Sequence, residues 1–140
     1  MSVTVVSGWP ELADSLRSRF VLPQLEQHLK RLTAAGTFTW AIVLHEEPNR
    51  DYANAVVLAL PWIHDIEVPG VPGRLKTASQ VLNPVHQLTV DDGPEALVVG
   101  IELAGSGMHW KAQDDATRNG LMELAERIQQ RLAAINLGQR

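Results

Sequence analysis

The sequence has 140 residues, a formal charge of −4 and a pI near 5.7; 45% of its residues are hydrophobic and 20% are charged. That length is usual for one domain, and the composition is that of a globular chain with enough apolar surface to fold, which excludes a disordered polar tract. The absence of cysteine removes disulfides, a thiolate nucleophile and cysteine-ligated zinc, and mild acidity disfavours attraction to phosphate backbones.

One α+β domain over residues 1–140 is therefore expected, without nucleic acid, membrane or cofactor. The opening Met-Ser-Val-Thr-Val-Val-Ser has neither a basic region nor a long apolar run, so no signal peptide is read and a cytoplasmic location is the simplest expectation. No segment approaches the 18 or so uninterrupted apolar residues of a membrane span. The basic cluster Arg17, Arg19, Lys30 and Arg31 is broken by Glu26 and reads as a solvated helix face.

In chain order, Val3 to Val6 is a short strand whose place in a sheet is open. Pro10 suits a first helical turn, where its missing N–H is not needed. Leu12, Leu16 and Phe20 form one stripe, and Leu22, Leu25, Leu29 and Leu32 another, with Pro23 expected to end or kink the helix between them. Gly36 stops the second stripe as a C′ residue.

Thr37 to Glu46 is the clearest strand, with Phe38, Trp40, Ile42 and Leu44 on one face. Glu47-Pro48-Asn49-Arg50-Asp51 is turn chemistry, and Ala53 to Ile63 returns as an antiparallel partner with Val56, Leu58, Leu60 and Trp62 aligned. The opposite face of this hairpin is apolar too, but small: Ala41, Val43, Ala55, Val57 and Ala59. A solvated face alternates to polar residues. This face is therefore expected to be covered, either by the chain's own N-terminal strand or C-terminal helix or by a second subunit.

The prolines and glycines at 69–73 mark a connector, and Leu75, Ala78 and Leu82 suggest a short helix from Arg74 to Leu82. Val85 to Val90 and Ala96 to Ala104 form a second hairpin through Asp91-Asp92-Gly93-Pro94. Gly105-Ser106-Gly107 is read as its end. A last helix begins near Asp114 or Asp115, with Leu121, Leu124, Ile128, Leu132 and Ile135 on one face and Gly138 past its end. The expected architecture is an antiparallel sheet of two hairpins flanked by N-terminal helices and a C-terminal helix.

Nucleotide and hydrolase motifs are absent from the sequence. The five histidines are scattered. His45 and the group His64, Asp65 and Glu67 are placed at opposite ends of the first hairpin. Glu102 stands opposite the apolar face of its strand, where a carboxylate is comfortable only if solvated or paired. Of the four tryptophans, Trp40 and Trp62 read as core, while Trp9 and Trp110 flank element ends and are candidates for partner contacts.

The segment Arg74 to Leu82, the hairpin Val85 to Ala104 and the helix Asp115 to Ile135 together resemble, in order and hydrophobicity, small type III secretion chaperones and their YbjN-like relatives. The resemblance covers roughly half the chain and carries no motif, so it transfers no residue. It implies a small, acidic, non-enzymatic dimer that binds extended protein segments.

Three functional expectations follow. The first is a chaperone-like protein-binding module, a homodimer that uses an edge strand or the small face (Ala41, Val43, Ala55, Val57, Ala59), with Trp9 and Trp110 as contacts. The second is a ligand-binding protein or acid–base enzyme with a helix-grip-like cavity between sheet and last helix, where His86 and Glu102 stand first. The third is a structural subunit of a phage or secretion assembly.

Overall fold

A computed structural model describes residues 2–16, 22–45, 52–68, 75–83, 86–103 and 106–136. The expectations at Phe20, the turn 46–51, the connector 69–74, Ala104 and Gly138 lie outside these residues. The described residues form eight strands and three helices: β1 (Ser2–Val6), α1 (Trp9–Leu16), α2 (Leu22–Ala35), β2 (Thr37–His45), β3 (Ala53–Leu60), β4 (Trp62–Val68), β5 (Lys76–Val81), β6 (Gln87–Asp92), β7 (Leu97–Leu103), β8 (Ser106–Ala112) and α3 (Asp115–Asn136). The chain is α+β, with two antiparallel sheets in the orders β1-β2-β3-β4-β5 and β6-β7-β8. Two compact units divide it, Met1–Val81 and Leu82–Arg140. No helix of the described residues is long and apolar enough to cross a membrane.

The first unit is a five-stranded meander. α1 starts after Gly8, whose carbonyl accepts from Leu12 N–H at 3.0 Å, and Glu11 reaches back to the backbone N–H of Ser7 at 3.3 Å. Pro10 lies in this first turn and Pro23 in the first turn of α2, positions whose N–H groups lack a helical partner anyway. The two leucine stripes thus belong to two helices. Gly36 follows α2 directly, but its reason is space: a Cβ there would stand 2.3 Å from the carbonyl oxygen of Ala59. Its φ lies outside the left-handed region, so close approach of β3, not a C′ conformation, requires the glycine.

β2 and β3 pair as expected, with two corrections to the faces. The register shifts between Phe38 and Trp40, which sets Phe38 across from Ala59 and Trp40 across from Leu58. The extra residue, Thr39, turns Phe38 onto the small-residue face. The run from Ala53 to Ile63 is not one strand. The chain reverses at Leu60-Pro61, a cis peptide, and Ala59 faces Trp62. Trp62 therefore lies on the small-residue side with His64. The same reversal returns Glu67, opposite Asn54, toward the sheet end where His45 faces Ala53, so these groups are not at opposite ends as the longer strand required.

Residues 76–81 are a strand, not a helix. Asp65 faces Ala78 and Glu67 faces Lys76 across the ladder. The helical spacing of Leu75, Ala78 and Leu82 yields to the open edge of β4, whose backbone groups gain partners from an added strand.

In the second unit, β6 and β7 form the expected hairpin. The stretch after it is a third strand rather than a connector: Met108 faces Ile101, Trp110 faces Val99 and Ala112 faces Leu97. Gly107 permits the close approach of β8 to β7, since a Cβ would lie 2.3 Å from the Ile101 carbonyl oxygen. Leu97, Val99, Ile101, Met108, Trp110 and Ala112 are buried, as are Leu121, Leu124, Ile128, Leu132 and Ile135 of α3, so the last helix packs its predicted stripe on this sheet. Asp114 caps it, accepting from Thr117 N–H and Oγ1, both at 2.8 Å.

Candidate functional site

The small face of the first sheet is occupied. Ala41, Val43, Ala55, Val57 and Ala59 have no exposed surface and share one core with Leu12 and Leu16 of α1 and Leu25 and Leu29 of α2. Small side chains let these helices approach the strands closely. The chain's own N-terminal helices, rather than the N-terminal strand, the C-terminal helix or a partner, cover this surface. Trp9 packs on the same core, its ring edge-on to Phe38 at 5.1 Å between centroids. Trp110 is buried within the second unit.

His86 and Glu102 do separate work. The Nδ1 of His86 accepts from Asn83 N–H at 3.0 Å, and His86 N–H donates to the Asn83 carbonyl at 3.0 Å. This buried imidazole therefore braces the turn that leads into β6. Glu102 lies on the polar face of the second sheet, half exposed, 2.9 Å from the Nε2 of His109. That ring covers Gly100, where a Cβ would meet it at 2.5 Å. An exposed pair of this kind contributes little to stability.

The richest chemistry lies where β5 meets β4 and α2. On the helix-facing side, the ladder aligns Trp62 with Val81, His64 with Ser79 and Ile66 with Thr77. His64 is buried, its Nδ1 is 2.7 Å from Ser79 Oγ, and its ring stacks on Trp62 at 6.0 Å. Thr77 Oγ1 is 2.5 Å from Nε2 of His28, which α2 brings down onto the strand. Burial and, second, the Arg31 guanidinium lower the pKa of His28; burial and, second, the nearby His28 lower that of His64. Both rings are thus neutral at pH 7.

Ser79 is exposed and touches an imidazole, which invites comparison with a nucleophile–base pair. A working pair needs a third group to orient the base. The Nε2 of His64 is instead buried without a hydrogen-bond partner among the described residues. The two histidines act here as acceptors or donors that hold the hydroxyls of β5 in place. Among the described residues no three His, Cys, Asp or Glu side chains group to hold a metal ion.

β5 is an edge: no strand among the described residues pairs with its outer side. Its side chains are short or exposed, with Lys76, Ala78, Ser79 and Val81 open to solvent. Two open clefts flank it. One, of about 180 Å³, is lined by Gln27, His28 and Arg31 of α2 and by Leu75. The other, of about 250 Å³, lies mainly on the opposite face, over Asp65, Glu67, Lys76, Thr77 and Ala78. Neither Arg31, Glu67 nor Lys76 closes an ion pair among the described residues.

Sequence reasoning missed this site because it placed a helix over 74–82. The Thr-Ala-Ser-Gln run and the isolated Lys76 are compatible with a charged, short-side-chain edge strand. No protein-family model, curated protein or solved structure matches the chain.

Proposed function

We propose that the protein is a non-enzymatic protein-binding module that takes an extended segment of a partner as a sixth strand against the outer edge of β5. One observation carries this reading: an exposed edge strand with a cleft on each face. In strand addition the main chain supplies affinity through hydrogen bonds, and alternate side chains enter opposite faces for specificity. The small-residue face takes no part, because α1 and α2 fill it. The same edge is also the surface on which a homodimer would form, by pairing two copies of β5.

Selection of peptides from a displayed library on the full chain, followed by hydrogen exchange with each selected peptide, tests the reading. The expected result is slowed exchange at Lys76–Val81 on peptide binding. Protection confined to other strands, or no enriched peptide, overturns it. Light scattering separates the occupants: a dimer whose β5 is already protected without peptide assigns the edge to a second copy.

A further inference from the structure

The two clefts beside β5 differ in charge, and they lie on faces that consecutive residues of an added strand reach in turn. On the helix side, where His28 meets Thr77, Arg31 and Gln27 line the cleft. On the other side, across from Ala78, stands Asp65, which also accepts from Asn54 Nδ2, with Glu67 two pairs further along. Ala78 offers only a methyl group, so the space above it opens toward these carboxylates. Lys76 shares that face, two residues away from Ala78. A short cation would stay beside its ammonium group, whereas a long one passes over Ala78 to Asp65. The planar guanidinium of arginine suits a carboxylate at that reach.

We propose that the β5 edge selects an extended segment in which an acidic residue, turned toward α2 and Arg31, is followed or preceded directly by an arginine turned across Ala78 toward Asp65 and Glu67. This rests on the strand-addition reading and names the partner's chemistry. Because strand side chains alternate, a slip of one residue would bring the acid to Asp65 and Glu67 and the arginine to Arg31. The charge pair therefore also fixes the register. A second copy of β5, Lys-Thr-Ala-Ser-Gln-Val, has no acidic residue to offer and fits this edge less well.

The test compares two capped hexapeptides of identical composition on the full chain, Thr-Val-Glu-Arg-Val-Thr and Thr-Glu-Val-Arg-Val-Thr. The first presents its charges to opposite faces and the second to one face. Exposed ion pairs are individually weak, so the adjacent arrangement is expected to bind roughly three- to tenfold more tightly. That preference should shrink at about 1 M salt, where the Debye length falls to about 3 Å. Arg31→Glu should favour a peptide with Lys in place of Glu, and Asp65→Asn with Glu67→Gln should remove the preference for Arg over a neutral residue. Arg31 and Glu67 are exposed, and half-buried Asp65 accepts from Asn54 Nδ2 at 2.5 Å, a bond that the amide oxygen of Asp65→Asn can still accept; the far-ultraviolet spectrum checks the fold of both variants.

Equal affinity of the two hexapeptides with β5 still protected would overturn the charge assignment and leave strand addition standing. Binding with protection away from β5 would overturn both. Failure of Thr-Val-Glu-Arg-Val-Thr to bind overturns the charge assignment, while library-selected peptides judge strand addition independently.

Discussion

At Asp114 one carboxylate receives the N–H and the hydroxyl of Thr117, and Thr117 is itself buried. Asp114→Ala removes the cap and should lower stability by about 1 kcal/mol, within the usual range of about 0.5–2. Asp114→Asn should retain most of it, and urea titration of the two variants measures the difference. Gly36 is the sharper case. With the Ala59 carbonyl oxygen 2.3 Å from a built Cβ, both sides of the clash are backbone and neither can rotate away. Gly36→Ala is expected to cost about 1–3 kcal/mol as an overpacking change, and the same titration reads it. The sequence marked both residues, but for Gly36 it suggested the wrong reason, because a carbonyl from a strand more than twenty positions away leaves no local trace.

At the scale of elements, α1 and α2 lie on the small face of the first sheet. Ala55→Leu should therefore destabilise the protein by about 1–3 kcal/mol, since the added volume has no space beneath the helices. Were this face a docking surface, the same change would leave stability unmoved and alter only assembly. Leu12→Ala and Leu25→Ala, both fully or nearly fully buried, should each cost about 2–5 kcal/mol. The helix stripes and the β2–β3 and β6–β7 pairs were legible because apolar spacing within an element survives folding. Three elements were not. The bulge at Thr39 and the reversal at Pro61 change parity, so every side chain beyond them changes face. β5 has too little hydrophobic alternation to announce itself and forms because β4 has an edge to complete. β8 did alternate, with Met108, Trp110 and Ala112 inward. Its signal was hidden by reading Gly105-Ser106-Gly107 as a stop when Gly107 instead lies within β8, close against the Ile101 carbonyl.

Across the whole molecule, the shifted titrations point the same way. His28 and His64 have folded pKa values lowered from 6.5, chiefly by burial, so below pH 6.5 the unfolded chain takes up protons that the folded chain resists. Their contribution is complete above pH 6.5 and is lost as pH falls through the lowered folded values. Asp114 is lowered from 3.8, chiefly by the Thr117 N–H, so its contribution is present above that pH and is lost on further acidification. Thermal unfolding midpoints should therefore fall between pH 7 and 5 and again below pH 4. The double variant His28→Gln, His64→Gln should flatten the first decline, and Asp114→Asn the second. A wild-type midpoint constant from pH 7 to 5 would contradict the buried, neutral histidines at the β5 corner.

By itself the sequence determined the α+β class, the three amphipathic helices, the two central strand pairs and the apolar double-sidedness of the first hairpin. These depend on periodicities carried by neighbouring residues. Only the tertiary structure decided that the N-terminal helices fill the small face, and that β5 rather than that face lies open. It likewise decided that Arg31 and Asp65 flank that edge from opposite sides. Each of these depends on which distant segment packs most favourably on an available backbone edge or apolar surface, and no local pattern of side chains encodes that outcome.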